Sequence, residues 1–268
     1  MDWDDAYANG AHIPGAAEFP PRWERAAASF RNSLGDRAET GISYGDGTRQ
    51  VADLFLPEGN AKGLAVFVHG GYWMKFGNAY WSHLSAGALA HGWAVAMPQY
   101  TLCPEVRISN ITAEIGQAVT ELATRIDGPI LLAGHSAGGH LVTRMVCSDS
   151  PLPGPVAERI SHVLSISGVH DLRPLLRTEM KDGLRLDDAE AIAESPALAE
   201  PRTKARLTCW VGADERPEFV RQNALLSNIW TGFGVETRCV EQPGKHHFDV
   251  IDALADPEDE MVRAWLSI

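Results

Sequence analysis

The chain has 268 residues, of which 45% are hydrophobic, enough to build one large α/β domain around a substantial core. Its formal charge is −12, with acidic residues scattered along the chain. That balance excludes a nucleic-acid partner, which needs clustered Lys and Arg against phosphate, and reads as a solvated surface. No apolar run approaches the roughly 18–20 residues of a membrane span. The start, Met1-Asp-Trp-Asp-Asp, is acidic and unlike a leader. The cysteines, Cys103, Cys147, Cys209 and Cys239, form no CxxC pair and match no zinc spacing. A reduced, soluble, cytoplasmic protein without disulfides is therefore expected.

Residues 1–35 carry Trp3, Tyr7, Ile13, Phe19 and Trp23 among several prolines. They read as an arm packed on the body, with a short helix near Trp23 to Asn32. Ala38–Tyr44 and Gln50–Leu56 read as strands joined at Gly45-Asp46-Gly47, a hairpin signal. Gly63–His69 is a continuous apolar run, as a buried parallel strand would be. A helix is predicted over Ala79–His91, then a strand over Trp93–Met97. Arg107–Ile126 has helical spacing at Ile108, Ile111, Ile115, Val119, Leu122 and Ile126. Ile130–Ala133 and His162–Ser167 read as strands, with a helix through His140–Cys147 between them. From 168 to 205 no buried strand is expected; the segment reads as helices broken by Pro174, Pro196 and Pro201, a small cap over the site. Arg206–Val211 and Val235–Val240 complete the strands, with helices over Glu218–Trp230, Val250–Leu254 and Glu258–Leu266. Two antiparallel-looking strands followed by strand–helix alternation give a mostly parallel sheet of about eight strands with helices on both faces. A ligand site belongs at the carboxyl ends of those strands.

Three motifs fall at such ends. Gly134-His135-Ser136-Ala137-Gly138 matches G-x-S-x-G between a strand and a helix, the setting of a nucleophile elbow. A serine there needs a base to take its proton and an acid to orient the base. The acid belongs after Arg206–Val211, where the loop Gly212-Ala-Asp-Glu-Arg216 offers Asp214 and Glu215. Its place three residues beyond the strand-ending Gly212 favours Glu215. The base belongs after the last strand, where His246 and His247 stand; His247, directly before Phe248, is the choice. A metal held by His246, His247 and Asp249 is disfavoured, because adjacent histidines seldom ligate one ion. His69-Gly70-Gly71-Tyr72-Trp73 follows its strand where an oxyanion hole would lie, so Gly71, Tyr72 and Ala137 are the expected amide donors. His69 is expected to brace this loop, and His135 and His140 to be structural. His170 and Asp171 read as cap residues. Trp73, Tyr7 and His135 are candidate pocket residues, and the other N-terminal aromatics join Trp73 as candidates for an aromatic-friendly pocket, with packing the alternative.

With these residues in place the chain resembles the α/β-hydrolase superfamily over almost its whole length. Within it, the resemblance is to the arylformamidase (kynurenine formamidase) group. His69-Gly-Gly-Tyr-Trp73 matches that group's H-G-G-x-W, and Gly134–His140, Val211–Phe219, His247-Phe248 and the arm Tyr7–Pro14 add support. The resemblance implies a cofactor-free serine hydrolase acting on a small amide or ester, most familiarly N-formyl-L-kynurenine in tryptophan breakdown. Glu215 departs from the group's usual Asp. A general short-chain carboxylesterase is the rival activity, and a catalytically silent ligand-binding protein the rival class. The expected partner is a small molecule, with neither nucleic acid nor membrane; a homodimer is left open.

Overall fold

The computed structural model describes residues 1–202 and 205–268. Its strands are β1 (Ala38–Ser43), β2 (Val51–Phe55), β3 (Leu64–Val68), β4 (Ala94–Pro98), β5 (Ile130–His135), β6 (Ile160–Ile166), β7 (Arg206–Gly212) and β8 (Thr237–Gln242). They form one sheet in the order β1-β2-β4-β3-β5-β6-β7-β8. Among the described strands only the β1–β2 and β2–β4 pairs run antiparallel; every pairing from β4 through β8 is parallel. All eight strands lie where the sequence reading expects them, and the result is the α/β-hydrolase fold.

The central strands are apolar throughout because both of their faces are covered. Along β3, Leu64, Val66 and Val68 join the core on one side, and Ala65 and Phe67 the core on the other. β5 does the same with Ile130 and Leu132 against Leu131 and Ala133. Each large aliphatic side chain buried this way contributes about 1.5–3 kcal/mol. Helices Ile108–Ala123, Ala137–Arg144 and Pro217–Thr231 help cover the first face. Residues from Phe19–Leu34, Ala86–Ala90 and Glu260–Leu266 cover the second. The outer strands β1 and β8 are mostly exposed or half-buried, as edges should be.

Three expectations change. The helix over Ala79–His91 is instead two 3₁₀ turns, Asn78–Tyr80 and Ser82–Ser85, followed by the short helix Ala86–Ala90. The arm holds more helix than expected: Phe19–Leu34 is one continuous helix with Pro20 and Pro21 in its first turn, where a missing N–H costs nothing. The segment expected as a cap, 168–205, packs elsewhere; of it, Thr203 and Lys204 lie outside the described residues. Glu190 binds Arg107 and Ser109, and Glu194 binds Thr112 and Arg144, so the segment is anchored to the flanking helices of the first face. Cys209 and Cys239 are register partners on β7 and β8 and are free thiols, as are Cys103 and Cys147. No helix among the described residues is long and apolar enough to cross a membrane.

Candidate active site

β5 runs straight into Ser136, which caps helix Ala137–Arg144 at φ 55°, ψ −117°. That conformation is strained for a residue with a Cβ. It persists because the surroundings fix both sides: Ser136 N donates to Ile166 O at 2.8 Å, and Ser136 O accepts from His140 N. The helix must also cross β3 closely. A Cβ on Gly138 would lie 1.9 Å from Val68 O, so only glycine fits there.

The loop after β7 places Glu215 with its side chain fully buried. One carboxylate oxygen accepts from Gly212 N at 2.9 Å and from Ser167 Oγ at 2.5 Å. The other lies 2.6 Å from His247 Nδ1, supplied by the loop after β8. Three hydrogen bonds thus hold the carboxylate, which fixes it and hence the imidazole. Asp214, the alternative, is exposed. With Nδ1 committed to Glu215, His247 Nε2 is the ring atom left for a reacting proton. No hydrogen bond joins Ser136 Oγ to His247 among those described, but both line the same cavity. Such contacts often form only around substrate.

His135 supports this histidine from the other side. Its Nε2–H donates to His247 O at 2.9 Å, and the two rings sit 4.5 Å apart. Burial first, and His247 second, push the His135 imidazole well below its usual range, so it stays neutral. Phe219 closes on His247 at 4.6 Å between ring centres.

The loop after β3 turns through a run of left-handed residues: Gly71 (φ 115°), Tyr72 (φ 56°) and Trp73 (φ 58°). A Cβ on Gly71 would meet Lys75 O at 2.4 Å, which excludes any other residue. Gly71 O accepts from both Met74 N and Lys75 N at 2.9 Å, closing the turn. Among the described hydrogen bonds, the N–H groups of Gly71, Tyr72 and Ala137 have no protein acceptor. Tyr72 OH donates to Tyr7 O at 2.7 Å, and Tyr7 OH donates in turn to the buried Glu218 at 2.8 Å. His69 stacks on Tyr100 at 4.3 Å, and Tyr100 OH holds His69 O.

The cavity has a volume of about 270 Å³. Ser136, His135, His247, Gly70, Gly71 and Tyr72 form its floor. Trp23, Phe76, Trp81 and Phe248 form an aromatic wall, and Ala8, Gly10 and Ala11 of the arm complete it; among the described residues Lys75 is the one Lys, Arg, Asp or Glu in the lining. Two expected pocket residues are corrected. Tyr7 and Trp73 are 2% exposed and belong to the core; neither lines the cavity. No described residue of 168–205 lines it either, so the cover comes from the arm. His170 is likewise buried behind the elbow, near Ser165 and Thr143. Of the arm aromatics expected at the pocket, Trp23 does line it; Ser167 and the wall residues Phe76 and Trp81 were not foreseen. The sequence signals for them are a strand-end position for Ser167 and the aromatic run Phe76, Tyr80, Trp81 after the Gly-rich loop.

Among the described residues no group of three His, Cys, Asp or Glu is arranged to hold a metal ion; His246 pairs with Asp249 instead.

A family model described as alpha/beta hydrolase fold matches residues 65–248. The kynurenine formamidase of Danio rerio is 25% identical over 225 residues, 80% of this chain and 76% of that protein. The kynurenine formamidase of Drosophila melanogaster is 27% identical over 241 residues, 83% and 78% of the two chains. A crystal structure from Silicibacter sp. tm1040, provisionally named a thioesterase, is 56% identical with a TM-score of 0.95 over 100% of both chains. Esterase B from Lactobacillus rhamnosis shares the fold at a TM-score of 0.71 and 18% identity, over 94% of each chain.

Proposed function

The chain belongs to the alpha/beta hydrolase family, and from that premise we propose that it is a serine hydrolase cleaving a small aryl formamide through an acyl-enzyme. The observation that carries the reading is the buried Glu215–His247 pair, whose Nδ1 is committed to Glu215 while His247 lines the cavity that also holds Ser136. A pure binding protein has no need of a carboxylate buried for that purpose.

The steps follow from the geometry. Ser136 Oγ attacks the formyl carbon while His247 Nε2 takes its proton, and Glu215 stabilises the imidazolium. The carbonyl oxygen becomes an oxyanion and takes the free N–H groups of Gly71, Tyr72 and Ala137; losing one such donor typically costs about 10²–10³ in rate. Collapse breaks the C–N bond, and the imidazolium gives its proton to the leaving aryl amine. Water then attacks the formyl-serine with His247 again as base, releasing formate. The aromatic wall of Trp23, Phe76, Trp81 and Phe248 suits an aryl leaving group, and the kynurenine formamidase relatives support a formamide.

A second reading is a short ester or thioester, favoured by the name of the Silicibacter relative. It uses the same steps with an alcohol or thiol leaving. The test is kcat/KM for N-formyl-L-kynurenine, p-nitrophenyl acetate and S-phenyl thioacetate side by side, with Ser136→Ala as blank. A clear preference for the formamide upholds the proposal. Cleavage of the esters alone keeps the triad and replaces the substrate. Failure of a fluorophosphonate probe to label Ser136 would overturn the mechanism itself.

A further inference from the structure

We infer that Lys75 is a specificity-determining residue that selects substrates carrying a carboxylate on the leaving-group side of the scissile bond. This inference rests on the hydrolase reading above, though not on the formamide. The cavity wall is apolar and aromatic, and no Asp or Glu among the described residues lines it. Among the described residues, Lys75 is the one formally charged residue in that lining. Its ammonium makes no ion pair or hydrogen bond among the described residues, in a chain whose formal charge is −12. Two charges that flank wall residues in sequence are already matched. Arg22, beside Trp23, pairs with Asp252 at 2.9 Å, and Asp249, beside Phe248, pairs with His246 at 3.1 Å.

The placement of Lys75 is also fixed relative to the chemistry. Its backbone N–H donates to Gly71 O at 2.9 Å, and its carbonyl packs against Gly71. The side chain therefore starts from the far end of the turn whose near end would hold the oxyanion. A substrate with its carbonyl at Ser136 and its ring on the aromatic wall would extend toward the exposed rim where Lys75 stands. A carboxylate there would gain an ion pair without displacing an existing one. An exposed ammonium pays little to be desolvated and yields a modest gain, weakened by salt.

The experiment uses substrate pairs that differ only in the carboxylate. One pair is N-formyl-L-kynurenine and its decarboxylated analogue N-formylkynuramine; the other is 4-acetoxybenzoate and 4-acetoxybenzamide. The ratio of kcat/KM within each pair is measured for the wild type, Lys75→Met and Lys75→Arg, at low and high salt. Lys75→Met should lower the ratio about 2- to 5-fold in whichever pair is cleaved, chiefly through KM. Lys75→Arg should restore it, and high salt should shrink the wild-type ratio. A ratio equal in wild type and Lys75→Met overturns the inference. If only the acetate esters are cleaved, the formamide proposal fails while the ester pair still decides the role of Lys75.

Discussion

Glu215 holds His247 by one oxygen at 2.6 Å and spends its other oxygen on Ser167 and Gly212. The residue after β6 thus sets the carboxylate that sets the imidazole. A longer acid than Asp works in this loop because Ser167 reaches across to fix its orientation.

Replacing Glu215 with Gln should therefore cost about 10²–10⁴ in kcat, because the amide presents the wrong group to His247 Nδ1. Asp214→Asn should change kcat less than twofold, since Asp214 is exposed and apart from the pair. Steady-state kinetics on the best substrate ranks the two; the reverse order moves the acid to Asp214.

Ser167→Ala should lower kcat more mildly, by about 10-fold. It removes one charge-assisted hydrogen bond and leaves Gly212 N in place. An unchanged rate would mean the Gly212 amide alone suffices to position Glu215.

The backbone at Ser136 predicts an unusual order of stabilities. Ser136→Ala keeps a Cβ in a conformation that disfavours one, whereas Ser136→Gly relieves it. Both should be inactive, and the glycine variant should melt about 2–4 °C higher than the alanine variant. Calorimetry on the pair settles whether the elbow stores strain.

Acid should weaken the fold before it protonates the carboxylates. Burial lowers His69 and His162 to about 4, and His140 and His170 to about 3. Below the unfolded value near 6.5 the unfolded chain takes up protons that the folded chain refuses, so stability falls as pH falls, until the folded values are reached. Between pH 7 and 5.5 each such histidine should remove about 1 kcal/mol. Urea midpoints at the two pH values measure the sum; a midpoint that holds or rises would show that these rings are protonated in the fold.

Much of this was legible in the sequence. The eight strands announce themselves because a two-sided burial demands uninterrupted apolar runs, as in Leu64–Val68. Ser136, Glu215 and His247 are readable because each follows a strand end in a fixed order. What failed depends on long-range docking. Nothing local says that Tyr7 and Trp73 turn into the core while Ala8, Gly10 and Ala11 face Ser136. The 168–205 segment has the helical composition of a cap, yet Glu190 and Glu194 moor it to Arg107 and Arg144, partners about 50 to 80 residues away. The helix expected over Ala79–His91 splits because Trp81 turns inward to pack on Trp23 at 4.7 Å.

The arm also orders events in time. Tyr7 is made early, but its anchor Glu218 follows 211 residues later. A chain growing from the ribosome can shape the elbow before Glu218 emerges, yet it cannot seat the arm until then. The pocket thus joins the two ends of the chain: during synthesis its arm waits for Glu218, and its base His247 and wall residue Phe248 emerge later still, so Ser136 stands without base or cover until the chain is nearly complete.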